Sequence, residues 1–341
     1  MLTKRSRWRV GLQADPITIH SWFVLTGLTA LADDGTIELQ PIARRVPPER
    51  SLWLEIEDRE TNVKASISVD VTDPGPLEAP RRAALADLTW KRSFDRDLHA
   101  GERIVPFGLI LGCCSGVERN RLAYLARLTR TNGPRATFAA IVAWRNAPPN
   151  VSEYEASPDV GDDVVLFQVR AWPEVGRDPA DRRARNETRA TLIRDLRAEL
   201  GDSFRGGFVD TPYARQQFGD CISDLPDDPR SYLELVRSCR IGVSTQGLHG
   251  SNPYKLAEYL AAGRAIVSEP LRFDVPEPLQ PGVHVVHFDD APGAVEACRR
   301  LLDDPSRRAA MQHASTTMWR DTANPRDLVL RRLEELPANL G

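Results

Sequence analysis

Apolar and polar positions change phase many times along the 341-residue chain. Short β-branched runs alternate with stretches whose apolar residues recur every three to four positions, the signature of strands alternating with helices. Arg9–Leu12 predicts a first strand, Trp22–Ala32 an amphipathic helix and Ile37–Ile42 a second strand. That β-α-β opening favours a parallel sheet. SLWLEIE from Ser51 and VKASISVDV from Val63 alternate apolar and polar and predict two more strands. LEAPRRAALADLTWKRSFD predicts a helix leading into a strand, and IVPFGLILGC a buried strand. A helix at 116–130 and a buried strand at 136–144 complete the first half.

The stretch Arg145–Asp163 is rich in Pro, Asn, Ser and Asp and lacks periodicity, so it is expected to be the linker. The alternation then restarts. VVLFQVRAW predicts a strand, and RNETRATLIRDLRAELG a helix capped around Asn186 and closed by Gly201. SFRGGFV, RIGVST, RAIVS and VHVVHF read as further strands. PRSYLELVRSC, NPYKLAEYLAAG, PGAVEACRRLLD, PSRRAAMQHASTTMW and PRDLVLRRLEEL read as helices. Two successive β/α units are expected, over 1–155 and 162–322, with a last helix in 325–341.

Composition narrows the picture only in places. A net charge of −3 gives no global pull toward nucleic acid or an anionic membrane. Of 45 basic residues only Lys4, Lys64, Lys91 and Lys255 are lysine, a bias that looks like the coding habit of a GC-rich bacterium. Five cysteines with no CxxC spacing argue against a disulfide framework or a zinc site and fit a reducing cytoplasm. The longest apolar runs fall short of the ~20 residues of a membrane helix. Peripheral membrane contact is left open.

The stretch GLHGSNPYKLAEYLAAGRAIVS, Gly247–Ser268, carries the chemistry. A strand ends just before it, and ligands of open α/β sheets bind beyond the carboxyl ends of strands. Gly247 and Gly250 let the backbone approach a ligand, and the amides of a helix opening at Pro253 attract phosphate. Ser251 or Asn252 is expected as the N-cap, or turned to the ligand. Lys255 lies in the first turn, where a cation is disfavoured unless an anion is near. Glu258, three residues on, shares its face and could accept hydrogen bonds from vicinal ribose hydroxyls. The plainer reading is a solvated Lys-Glu pair worth a few tenths of a kcal/mol.

Pro253, Lys255, Glu258, Tyr259, Ala261, Gly263, Ile266 and Val267 resemble the C-terminal signature of GT-B class glycosyltransferases, closest to the retaining, glycogen-synthase-like and lipopolysaccharide-type enzymes. The resemblance implies an α/β fold of two Rossmann-like β/α/β domains facing each other across a cleft, with the donor in the C-terminal domain and the acceptor mainly in the N-terminal one. The last helix would cross back to the N-terminal domain. The implied activity moves a sugar from a nucleotide-diphosphate donor, as co-substrate, to a hydroxyl acceptor. It needs no metal or other cofactor, and retention is expected. The acceptor could be a glycan, lipid carrier, natural product or protein. Arg170 matches a strand-end arginine that contacts the donor diphosphate. Gly247, Leu248, His249, Gly250, Ser251 and Asn252 would form the donor loop. Two departures stand out. Gly250 holds the place of the first acid of an E-x7-E pair, and Val175 that of a lysine, with Arg177 two further on. The alternatives are an epimerase or hydrolase of the same fold, or a non-catalytic binding partner.

Other candidates come from position. His20, at a helix entry, could be a catalytic base oriented by Asp15, or a capping residue. Lys91 and Arg92, beside Trp90 and Phe94, could face an acceptor, or lie on a solvated face. Trp172 could stack on a sugar or base, or pack in the core. Val209 and Tyr213 stand where the nucleobase would be received.

Overall fold

The computed structural model describes residues 6–14, 20–42, 46–47, 49–115, 148–176 and 178–340. The helix expected at 116–130, the strand at 136–144, Asp15 and Arg177 lie outside the described residues. The chain divides into two compact units. The first is assembled from Met1–Val151, Phe273–Pro276 and Thr322–Gly341, the second from Ser152–Arg272 and Glu277–Asp321.

The first unit holds β1 (Trp8–Gln13), β2 (Ile37–Pro41), β3 (Leu52–Asp58), β4 (Lys64–Asp70), β5 (Leu88–Lys91) and β6 (Ile104–Pro106) in a sheet of order β2-β1-β3-β4-β5-β6. β1 and β2 are parallel and joined through the helix Ser21–Asp33, as the opening pattern predicted. β3 runs antiparallel to both β1 and β4, so this sheet is mixed. The predicted strand IVPFGLILGC is cut short at Pro106: Phe107 to Cys113 are buried but carry no strand, and Gly108 takes φ +137°. The helix Pro325–Glu334 packs in this unit against Ser21–Asp33. Gly27 makes the approach possible, since a Cβ there would fall 2.2 Å from the Pro325 carbonyl oxygen.

The second unit holds β7 (Asp162–Val169), β8 (Phe204–Phe208), β9 (Cys239–Ser244), β10 (Ala265–Ser268) and β11 (Val285–His287), all parallel, in the order β11-β10-β9-β7-β8. Strand order therefore reverses between β7 and β9. In doubly wound sheets that switch point, beyond the carboxyl ends of the strands, is where ligands bind. The core is apolar and close-packed, with Phe167, Ile193, Phe208, Ile241 and Leu301 at most 1% exposed. All five cysteines are free thiols, four of them buried. Among the described residues no helix is long and apolar enough to cross a membrane.

Candidate functional site

Arg170 follows β7 directly, and the loop Thr245–Pro253 follows β9, so both leave the switch point. The Arg170 side chain is exposed. The loop is tied on every side. Gly247 N–H donates to the Ser251 carbonyl at 2.8 Å, closing a tight turn in which a Cβ on Gly247 would meet Ser251 Oγ at 2.3 Å. Gln246 N–H donates to Glu269 Oε2 at 2.6 Å. His249, in the left-handed region at φ 59°, donates its N–H to Asp181 Oδ2 at 2.8 Å, and its Nδ1 lies 3.8 Å from Asp178 Oδ2. Gly250 takes φ +74°, and a Cβ on it would meet Arg272 Cδ at 2.7 Å. Leu248 opens the short turn Leu248–Gly250.

The signature helix runs Tyr254–Ala261. Its N-cap is Pro253, and no side chain caps it, so neither Ser251 nor Asn252 plays the expected capping part; both are buried. Proline at that position places the chain in the extended region and has no polar side chain to cap the helix. Gly263, at φ +62°, lies just past the helix end and donates its N–H to the Leu260 carbonyl. Tyr259 lies across β9 and donates its hydroxyl to the Val243 carbonyl at 3.2 Å. Gly242 makes room for that ring, since a Cβ there would lie 2.6 Å from it.

Lys255 is half-buried, in the first turn, with no acid beside it in that turn. Its ammonium donates to the Tyr232 hydroxyl. Burial holds its pKa down to about 8; Glu258 opposes this, and the charges of Arg189 and Arg170 add to it. Burial likewise pushes the Glu258 carboxyl up, against the pull of Lys255 and the Tyr232 hydroxyl. Glu258 Oε2 is buried and has no hydrogen-bond partner, and the same is true of Ser244 Oγ at the end of β9. Tyr232, on the helix Pro229–Ser238, carried no sequence signal beyond an aromatic on an amphipathic face.

Asn186 does not cap its helix. The helix Pro179–Leu200 begins two turns earlier on Asp178, whose side chain accepts from Asp181 N–H. Asn186 is instead buried, accepting from Trp172 N–H at 2.9 Å and donating to the Trp172 carbonyl at 2.8 Å. The Trp172 ring packs under the Arg189 guanidinium at 4.0 Å. Val209 is buried, and Tyr213 donates to Glu174 Oε1 at 3.3 Å. Asp178, Asp181 and His249 bring one ligand atom each within 4.8 Å of one another. Their oxygens already accept from backbone N–H groups, and Asp181 also pairs with Arg185 at 3.4 Å.

In the first unit, β4 and β5 are parallel and end side by side, which brings Asp70 against Lys91. Lys91 is fully buried, pairs with Asp70 at 3.2 Å and donates to Thr72 Oγ1 at 3.3 Å. Arg92, 2% exposed, pairs with Asp73 at 2.7 Å. Its Nη1 also lies 3.4 Å from His20 Nδ1. Guanidinium only donates, so Nδ1 accepts and a neutral His20 ring carries its proton on Nε2. Burial and the Arg92 charge hold His20 down to about 4. His20 is thus neutral near pH 7 and a weak base.

A family model described as "glycosyl transferase-like" matches residues 212–329, a segment that contains the signature helix but not Arg170. No curated protein matches the sequence. Among solved structures, HepE of Anabaena in complex with UDP is 13% identical with a TM-score of 0.40, over 56% of this chain and 56% of that one. A glycosyltransferase from Rickettsia africae is 11% identical with a TM-score of 0.45, over 96% of this chain and 82% of that one. A UDP-N-acetylglucosamine 2-epimerase, so described for Listeria monocytogenes, is 14% identical with a TM-score of 0.38, over 78% and 63%. The chain therefore spans little more than half the length of HepE. Residues 212–329 of the chain, the signature helix among them, are thus similar to the glycosyl transferase-like family.

Proposed function

We propose that this protein is a glycosyltransferase that moves a sugar from a nucleotide-diphosphate donor to a hydroxyl acceptor, with retention at the anomeric carbon. The observation that carries the reading is Glu258 Oε2, a buried carboxylate oxygen with no hydrogen-bond partner. It lies one turn after Lys255 on a helix whose first turn no side chain caps. A buried acceptor left unmade costs about 1–3 kcal/mol, more if charged, so a bound donor at this point relieves a standing penalty. Vicinal ribose hydroxyls supply two such donors. The Lys255 ammonium and the exposed Arg170 side chain then meet the diphosphate, while the loop Gly247–Asn252, whose Gly247, His249, Gly250 and Ser251 amides donate within the protein, shapes the wall beside it. As the sugar bond breaks, negative charge grows on that leaving group, and these fixed positive ends stabilise it without a metal.

Gly250 favours a second reading, in which the protein binds a sugar nucleotide without transferring the sugar. Its left-handed φ and the nearby Arg272 Cδ leave no room for the acid that retaining enzymes carry there. One screen separates the readings. UDP, GDP and dTDP are tested by thermal shift, and a panel of sugar nucleotides is incubated with and without acceptors. Acceptor-dependent release of nucleoside diphosphate supports transfer, and binding without turnover supports the second reading. Free epimer without acceptor points to epimerisation. A melting temperature moved by none of the three nucleotides rejects the donor site.

A further inference from the structure

We infer that Arg189 is a positioning residue of the donor site: its guanidinium clamps the loop bearing Arg170 and the loop Thr245–Asn252 into one fixed register. The inference rests on the donor-site reading above. Arg189 is 5% exposed and comes from the third turn of the helix Pro179–Leu200. Its Nε donates to Thr245 Oγ1 at 3.0 Å, Nη1 to the Arg170 carbonyl at 3.0 Å and Nη2 to the Gln246 carbonyl at 3.1 Å. One planar fork thus reaches both loops that leave the switch point, a geometry lysine cannot reproduce. Trp172 supports the plane of the fork from below, and Asn186, one turn earlier on the same helix, holds the Trp172 backbone. Asp181, near the start of that helix, takes the His249 N–H. A single rigid 22-residue helix therefore sets both loops, and sites built on rigid elements hold their geometry best.

No carboxylate pairs with Arg189 at ion-pair distance among the described residues; burial pulls its pKa to about 9, opposed through space by Glu269 and Asp181 and helped by Arg185. Burying a charge with no carboxylate in direct contact is costly even where more distant acids offset part of it, and a neutral side chain of similar volume could join two loops more cheaply. The charge makes sense where an anion is to be met, and it is felt at Lys255.

The test uses the full chain. Arg189→Met keeps the stem and removes the fork, Arg189→Lys keeps the charge, and Thr245→Val removes one acceptor with little change of shape. Amide hydrogen exchange without ligand is followed over 245–252 and in the sheet core, and the affinities for UDP, GDP and dTDP are measured. In Arg189→Met the loop amides should exchange about tenfold faster with core amides unchanged, and the nucleotide Kd should rise about tenfold. Arg189→Lys should behave like Arg189→Met, and Thr245→Val should show a smaller change in the same direction. If Arg189→Met does not fold, Thr245→Val decides: unchanged loop exchange and affinity overturn the clamp. Full restoration by lysine, or exchange raised equally throughout the second unit, also overturns it. A wild type that binds none of the three nucleotides, with the loop still loosened in the variants, rejects the donor reading and leaves the clamp standing.

Discussion

The Lys255 ammonium donates to the hydroxyl of Tyr232 and lies 4.1 Å from the centroid of that ring. The lysine is thus held by a neutral partner from another helix, and the Glu258 carboxylate offsets its charge only in part. With a pKa of about 8 that charge is lost just above neutrality. Affinity for a nucleoside diphosphate should be flat from pH 6 to 8 and fall up to about tenfold per unit above that, since only the protonated form attracts the anion. Unliganded stability should move the opposite way. The folded pKa lies below the unfolded value of 10.5, so the unfolded chain binds more protons between pH 8 and 10.5 and stability rises across that window. Calorimetric titrations across the range check the first slope and denaturant melts the second; Lys255→Met should flatten both.

Glu258→Gln should separate binding from folding. Removing a buried charge whose Oε2 has no hydrogen-bond partner, at the loss of its attraction to Lys255, leaves the melting temperature within a few degrees of the wild type, equivalent to about 1 kcal/mol. The same change should weaken nucleotide binding about tenfold, because hydrogen bonds to a charged acceptor are the stronger kind. Equal affinity in variant and wild type would remove Glu258 from the ribose.

His20 should titrate near 4 in a proton NMR experiment. Its folded pKa lies below the unfolded 6.5, so its contribution is present above pH 6.5 and is lost as pH falls through 4. Denaturant melts at pH 7 and 4.5 should show about 1–3 kcal/mol more loss in the wild type than in His20→Gln. An acid limb of activity near pH 6.5 that disappears in His20→Gln would contradict the neutral, Nε2-protonated ring.

Gly250→Glu places an acid at the first position of the E-x7-E pattern but should not by itself confer sugar transfer. Left-handed strain at φ +74° and the contact with Arg272 should cost about 1–3 kcal/mol, read as a lower melting temperature, and donor affinity should fall. Gly242→Ala should cost a comparable amount of about 1–3 kcal/mol by driving a methyl into the Tyr259 ring.

Alternation of short strands and helices was enough to read the second unit, because each strand of a parallel sheet buries both faces and each crossover helix one. Proline and glycine marked most ends well, as at Pro229 and Gly263. Asn186 misled because its residue type suits a cap, while its two hydrogen bonds lie with a tryptophan backbone fourteen residues away in sequence. The antiparallel β3 was legible as a strand but not in direction, since alternation carries no polarity. In the site, Lys255 and Glu258 stood out as punctuated residues on one short helix. Arg189 did not, because an arginine among six in one helix shows its task only once three loop acceptors converge on it.

The first unit draws its closing helix from the far end of the chain, with Gly27 pressed against Pro325. A ribosome therefore releases every residue of the second unit before those that complete the first. During synthesis the later-made unit can finish folding while its predecessor still waits with the face of Ser21–Asp33 uncovered, reversing the usual N-terminal-first order. A chain cut after Asp321 should be protease-resistant in the second unit and sensitive in the first.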